Sequence, residues 1–263
     1  MGEATTVTAN ALKAERQGLI RKLVEAEGRV TVPDLSARFG VSKATIRRDL
    51  KELHRRGWLQ RSHGGGLRID LAIREPPMPL RLPDHQAEKR RIAEEAACLV
   101  QDGESIFLGS GTTVLEFARA VPGGLHLTVI TNSLAIVNEL ASRPGIELIV
   151  IGGMFRQSEL SMVGHLAEQA IRELRADRAF LGMRAIDVHH GFASDFLPEI
   201  MTDRAILSIA PQVVVLADHT KFGRVGSIVV APVTAAHLII TDTATPPETV
   251  AALQTLGVQV RTV

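Results

Sequence analysis

Through the early part of the chain, apolar residues recur three and four positions apart, the spacing of helices that share a core. Leu12, Leu19, Ile20, Leu23 and Val24 predict a first helix from about Ala11 to Glu27. Leu35 and Phe39, with Thr31 or Val32 ahead of Pro33 and Gly40 as a stop, predict a second. In the third, capped by Ser42 and running to Arg56, Ile46, Leu50 and Leu53 stand at i, i+4 and i+7. From Gly57 to Arg68 the pattern shortens to strand, glycine turn, strand, which predicts a small hairpin.

Beyond this point, Pro76, Pro77, Pro79 and Pro83 sit among charged residues, a composition that suppresses both helix and strand pairing and reads as a stiff connection. Glu88 to Gln101 is then a strong amphipathic helix. After it strands and helices alternate. Strands are expected at 105–108, 127–130, 146–151, 179–182, 213–217, 237–241 and 258–260, with helices between them ending near Ala120, Ser142, Leu174, Ile209 and Leu256. This rhythm predicts a mostly parallel sheet covered on both faces. The expected domains are 8–68, a linker at 69–86, and 87–263.

Charge separates the same two parts. Residues 1–70 hold 14 Lys and Arg against 8 Asp and Glu, a net +6, whereas residues 71–263 carry a net −5 within an overall +1. Lys43, Arg47, Arg48, Lys51 and Arg55 fall on a different side of the third helix from its apolar stripe. A short helix with one apolar and one cationic face, preceded by a helix and a glycine turn, has the order of a helix-turn-helix laid into a major groove. Ser42, Lys43, Thr45, Arg47, Arg48 and Lys51 are the expected DNA contacts, and Arg61, His63 and Arg68 of the hairpin would reach phosphates or the minor groove. Cys98 is the only cysteine, which excludes an intrachain disulfide and a cysteine metal cluster and suits a reducing cytoplasm. Neither a signal peptide nor a membrane span is expected. His189 and His190 are adjacent on an extended segment, so their rings diverge, and no metal site or cofactor is expected.

In an open α/β sheet, ligands bind outside the carboxyl ends of the strands. Small polar residues cluster at those ends here: Gly109-Ser110-Gly111-Thr112-Thr113, Thr131-Asn132-Ser133, Gly152-Gly153, and Lys221 within Asp218-His219-Thr220-Lys221-Phe222-Gly223. Flexible backbone, hydroxyls and a helix start form a combination suited to a phosphate.

The run Val41 to Leu50, with Leu53, Gly57 and His63-Gly64-Gly65, resembles the winged helix-turn-helix of the DeoR family of bacterial transcription regulators. The strand-end motifs, with Phe180-Leu181-Gly182 and Ile186-Asp187, resemble that family's effector domain, which is similar to ribose-5-phosphate isomerase. The resemblance implies a regulator, more specifically a repressor of carbohydrate use, that binds operator DNA as a homo-oligomer, dimer or tetramer, and responds to a phosphorylated sugar or polyol. It places Ser110, Gly111, Thr112, Thr113, Thr131, Asn132, Ser133, Gly152, Gly153 and Lys221 around the effector, and Arg184 and Glu199 complete the expected set. The alternative is an isomerase-like enzyme tethered to a DNA-binding domain, with Glu199, Asp187 or Asp218 as base; the expectation is that the protein is not an enzyme. Two positions depart from the family pattern. Gly109 stands where many members carry an acidic residue, and Asp203 stands where many carry Lys.

Overall fold

The computed structural model describes residues 13–27, 29–55, 59–62, 65–67 and 76–263. The chain divides into two compact units, residues 1–71 and 72–263. Leu12, His63 and Arg68 lie outside the described residues, as does the side chain of Arg61, which stands on a strand.

The first unit contains α1 (Lys13–Glu27), β1 (Arg29–Thr31), α2 (Val32–Phe39), α3 (Lys43–Arg55), β2 (Gln60–Ser62) and β3 (Gly65–Leu67). Thr31 caps α2 by accepting from the Asp34 amide at 3.3 Å, Pro33 lies in its first turn, and Gly40 ends it at φ 62°, the left-handed geometry that glycine adopts at little cost. The predicted apolar stripe of α3 is the buried one: Ile46, Leu50 and Leu53 pack with Ile20, Val24, Leu35, Phe39 and Leu59. β1 was not anticipated. It pairs with β3, giving a three-stranded wing in the order β1-β3-β2, and the approach is so close that a Cβ on Gly65 would lie 1.9 Å from the Val30 carbonyl oxygen.

The second unit runs α4 (Met78–Arg81), α5 (Gln86–Ala97), β4 (Ser105–Leu108), α6 (Thr112–Ala120), β5 (Leu127–Thr131), α7 (Leu134–Leu140), β6 (Ile146–Val150), β7 (Met154–Arg156), β8 (Ser161–Val163), α8 (His165–Arg172), β9 (Arg178–Gly182), β10 (Ala185–Asp187), β11 (Gly191–Ser194), α9 (Leu197–Ile209), β12 (Gln212–Leu216), β13 (Ile228–Ala231), β14 (Leu238–Thr241), α10 (Pro247–Thr255) and β15 (Gln259–Thr262). Seven strands form one parallel sheet in the order β15-β14-β12-β9-β4-β5-β6. Successive side chains of a strand face opposite ways, so the apolar strands feed two cores. Phe107, Val213 and Val215 join the core containing Ile171 of α8 and Ile206 of α9, whereas Ile106, Leu108, Val214 and Leu216 join the core with Ile92 of α5 and Phe117 of α6.

Three features of the second unit depart from the expected pattern. The stretch after Gly153, where no strand is expected, is the hairpin β7-β8, and the second unit also holds a small sheet, β10-β11-β13. The proline-rich stretch contains α4, because Pro79 occupies its first turn, where a missing amide costs no helical bond. Met78 is 1% exposed and lies in the core of the second unit.

Candidate functional site

On the first unit, burial of Ile46, Leu50 and Leu53 turns Lys43, Arg47, Arg48 and Lys51 outward, and all four are exposed. Ser42 is exposed and accepts from the Thr45 amide at 3.2 Å, while the two hydroxyls lie 3.0 Å apart. The cap therefore places both hydroxyls at the N-terminal end of the cationic face. Asp49, within the same run, points the other way: it is 1% exposed and accepts from Arg16 and Gln17 of α1.

On the second unit, strand order reverses between β4 and β9. From β4 the chain proceeds outward to β5 and β6, and from β9 it proceeds the other way to β12, β14 and β15. Such a switch point opens a crevice at the carboxyl ends of the strands. A cavity lies there. Its floor is formed by Ser110 to Thr113 after β4, by Leu181 to Arg184 at the end of β9, and by Leu216 of β12. Gly111, at φ 124°, makes the turn into α6, and no side chain caps that helix among the described residues, so its first amides, on residues that line the cavity, have no capping side chain. The walls come from Ser194 of β11, Glu199 and Asp203 of α9, Lys221 after β12, Arg81 of α4 and Glu159 of the β7-β8 turn.

Of the twelve expected effector residues, the structure brings seven to this cavity: Ser110, Gly111, Thr112, Thr113, Arg184, Glu199 and Lys221. Thr131 ends β5 with Asn132 and Ser133 just after it, and Gly152 and Gly153 follow β6, one and two strands further along the sheet. Thr131 donates to the Leu108 carbonyl at 2.7 Å and accepts from the Ser133 amide at 3.1 Å, and Asn132 donates to the Met162 carbonyl at 2.9 Å. A Cβ on Gly153 would lie 2.9 Å from the Val163 carbonyl oxygen, so that glycine admits a close approach of β8. Arg81, Glu159 and Ser194 were not anticipated. A sequence signal for Arg81 is the apolar set Met78, Leu80 and Leu82 interleaved with the prolines around it.

Charged groups in the cavity form a connected chain. Arg81 pairs with one oxygen of Glu159, and Arg184 pairs with the other at 2.9 Å and lies 4.0 Å from Glu199. Glu199 also pairs with Arg156 at 2.6 Å and accepts from the Ser194 hydroxyl at 3.1 Å, while the Arg156 guanidinium stacks 4.4 Å over the Phe196 ring. Asp203, one turn along α9, faces Glu199. Burial and that carboxylate push the Asp203 carboxyl well above its ordinary range, against the pull of Arg184 and Arg156. Burial lowers the Lys89 ammonium, opposed by Asp218. Burial alone would raise Asp218, but the hydroxyl and amide of Thr220, with Lys221 and Lys89, outweigh it and hold the carboxyl below its ordinary range. His190 bonds Asp187 through Nδ1 at 2.7 Å, which gives the adjacent His pair a loop-fixing role.

Residues 16–71 match the DeoR-like helix-turn-helix domain and residues 84–243 match the DeoR C terminal sensor domain. The chain belongs to the DeoR family. It is 35% identical over 232 residues to the transcriptional repressor AccR of Agrobacterium fabrum, covering 88% of this chain and 90% of that protein. It is 31% identical over 238 residues to the glycerol-3-phosphate regulon repressor of Escherichia coli K12, covering 90% of this chain and 94% of that protein. Among solved structures, ribose 5-phosphate isomerase A of Methanocaldococcus jannaschii gives a TM-score of 0.39 at 22% identity over 53% of this chain and 55% of that one. As a DeoR-family member this protein is a DNA-binding transcription regulator, with a helix-turn-helix head and a sensor domain for a small molecule. No helix among the described residues is long and apolar enough to cross a membrane.

Proposed function

We propose that this DeoR-family regulator is a repressor of genes for the use of a sugar or polyol, and that a phosphorylated form of such a compound, bound in the switch-point cavity, modulates its hold on DNA. The observation that carries this reading is the convergence of the open N-terminus of α6 with Arg81, Arg184 and Lys221 on one cavity. Helix amides and cations together suit an oxyanion. Three carboxyl groups, on Glu159, Glu199 and Asp203, line the cavity with those cations. These carboxyl groups line the same cavity, where they can accept from hydroxyls. A relative named for the glycerol-3-phosphate regulon supports the same class of effector.

On the head, Ser42, Lys43, Thr45, Arg47, Arg48 and Lys51 would meet operator DNA, with Arg61 and His63 of the wing beside them. We read the protein as a cytoplasmic homo-oligomer, dimer or tetramer, that matches repeated half-sites. Exposed Val150, Met154 and Phe155, on the edge strand β6 and the hairpin after it, support self-association. The engagement of Glu199 by Arg156 and Ser194, of Asp187 by His190, and of Asp218 by Thr220 supports a binding role over turnover.

The test pairs fluorescence anisotropy on a duplex from the promoter of the protein's own gene with thermal shift against ribose 5-phosphate, glycerol 3-phosphate, hexose 6-phosphates and their unphosphorylated parents. Specific duplex binding, and a melting temperature raised by a phosphorylated compound but not by its parent, are expected. Absence of specific duplex binding, or catalytic turnover of a bound sugar phosphate, overturns the reading.

A further inference from the structure

Among the described residues that line the cavity, Arg81 is the one that stands on the segment by which the chain enters the second unit. That segment is held by tertiary contacts. Four residues cannot sustain a helix alone, so the position of α4 depends on what it touches. Met78 is buried in the core and its amide donates to the Ser158 carbonyl at 2.7 Å, Arg81 Nε donates to the Pro76 carbonyl at 2.7 Å, and Lys89 Nζ donates to the Arg81 carbonyl at 2.8 Å. Arg81 also pairs with Glu159.

Glu159 is shared. It is 4% exposed, and its second oxygen holds Arg184, a residue at the end of β9 on the cavity floor. One buried carboxylate thus joins an arginine of the entering segment to an arginine of the site. An anion placed between the amides of α6 and these arginines competes with Glu159 for both. The competition changes the contacts of Arg81, and Arg81 is four residues from Pro77 and five from Pro76, on a stretch stiffened by proline.

Resting on the reading above, we propose that Arg81 is an effector-contacting residue, and that its exchange between Glu159 and an anionic effector passes occupancy of the cavity to the segment leading from the DNA-binding unit. A ligand shifts an equilibrium only by its differential affinity for the two arrangements, and the exchange of Arg81 between two anions supplies that difference. The coupling is reciprocal, so operator DNA would weaken the effector by the same factor.

The experiment uses the full-length protein and two variants, Arg81→Met and Glu159→Gln, each checked for a cooperative melt. The readout is the Kd for the promoter duplex, alone and with ribose 5-phosphate, glycerol 3-phosphate or inorganic phosphate as probe. In the wild type at least one probe changes the duplex Kd by about fivefold or more, the lower end of typical allosteric coupling. In Arg81→Met the fold-change in duplex Kd that this probe produces, in whichever direction, falls below about half its wild-type value. Glu159→Gln, which loosens both arginines without any ligand, moves the probe-free duplex Kd toward the wild-type value with probe. An Arg81→Met ratio equal to wild type, or a probe-free Glu159→Gln Kd equal to wild type, overturns the inference. A wild type that fails to bind the duplex overturns the functional reading itself and this inference with it.

Discussion

Arg16 and Asp49 form a buried ion pair that ties α1 to α3: the guanidinium Nε donates to Oδ2 at 2.7 Å, with the two side chains 10% and 2% exposed. Gln17 donates to the other oxygen at 3.1 Å. The pair lies on the side of α3 turned from its cationic face, so it fixes the angle at which that face is presented. Asp49→Ala leaves Arg16 charged and buried without its carboxylate, at a cost of about 3–5 kcal/mol. The expected result is an early unfolding transition of the first unit, followed by the emission of Trp58, the only tryptophan, with the transition of the second unit little changed. Coincident wild-type and variant curves would show that the pair contributes no stability.

Arg47 and Lys51 stand one turn apart on the exposed face of α3, and they are expected to behave differently. In helix-turn-helix docking, base edges are reached from the N-terminal part of the second helix, where Arg47 lies. Arg47→Ala should cost about 1–3 kcal/mol on the preferred duplex and much less on a scrambled one. Lys51→Ala should weaken all duplexes alike and reduce the slope of log Kd against log salt by about 1. Anisotropy titrations at several salt concentrations separate the two, and identical profiles for both variants would contradict the division of roles.

The helix boundaries of the first unit and the parallel sheet of the second were legible because a repeated apolar spacing has one geometric reading. Ile46, Leu50 and Leu53 could share a face only on a helix, and the alternating assignment of Phe107 and Leu108 to two cores follows from strand period alone. Asp49 was not legible, since an acid in a cationic helix looks solvated until its partner, 33 residues earlier, is folded beside it. The strands β7, β8, β10 and β11 are three or four residues long, too short for an alternation to stand out, and β11 finds its second partner, after β10, in β13 beyond an intervening helix and strand. Arg81 was hidden by prolines that read as breakers of structure but that here occupy positions where no amide is needed. In the cavity, residue types at strand ends were legible, but the sharing of Glu159 between two arginines was not, because it joins segments nearly eighty residues apart in sequence.

Thr131 offers a separation of structural from ligand-binding roles among the strand-end residues. Its hydroxyl is fully buried, donating to the Leu108 carbonyl and accepting from the Ser133 amide, and it links the ends of β4 and β5. Thr131→Val preserves shape and leaves those two backbone groups unpaired, so a loss of about 1–3 kcal/mol is expected in denaturant melts of the second unit. A fall in effector affinity without any loss of stability would instead place this hydroxyl at the ligand.

Asp203 gives the cavity a pH dependence whose sign can be stated. Burial and the facing Glu199 raise its carboxyl above the ordinary range, so between the unfolded and folded values the folded chain holds a proton that the unfolded chain has lost. Where the folded state binds more protons, stability falls as pH rises. The penalty begins above the unfolded carboxylate value, about 4, and is complete once the pH passes the raised folded value. Asp203→Asn keeps the shape and cannot ionise. Its melting temperature should therefore match that of the wild type in acid and exceed it increasingly toward neutral and alkaline pH. Glu199, Arg184 and Arg156 face the same group, so Glu199→Gln, which removes the neighbouring negative charge, should make the decline smaller and end it at a lower pH. Parallel melting curves for wild type and Asp203→Asn across the whole range would show that the carboxyl ionises as it does in water.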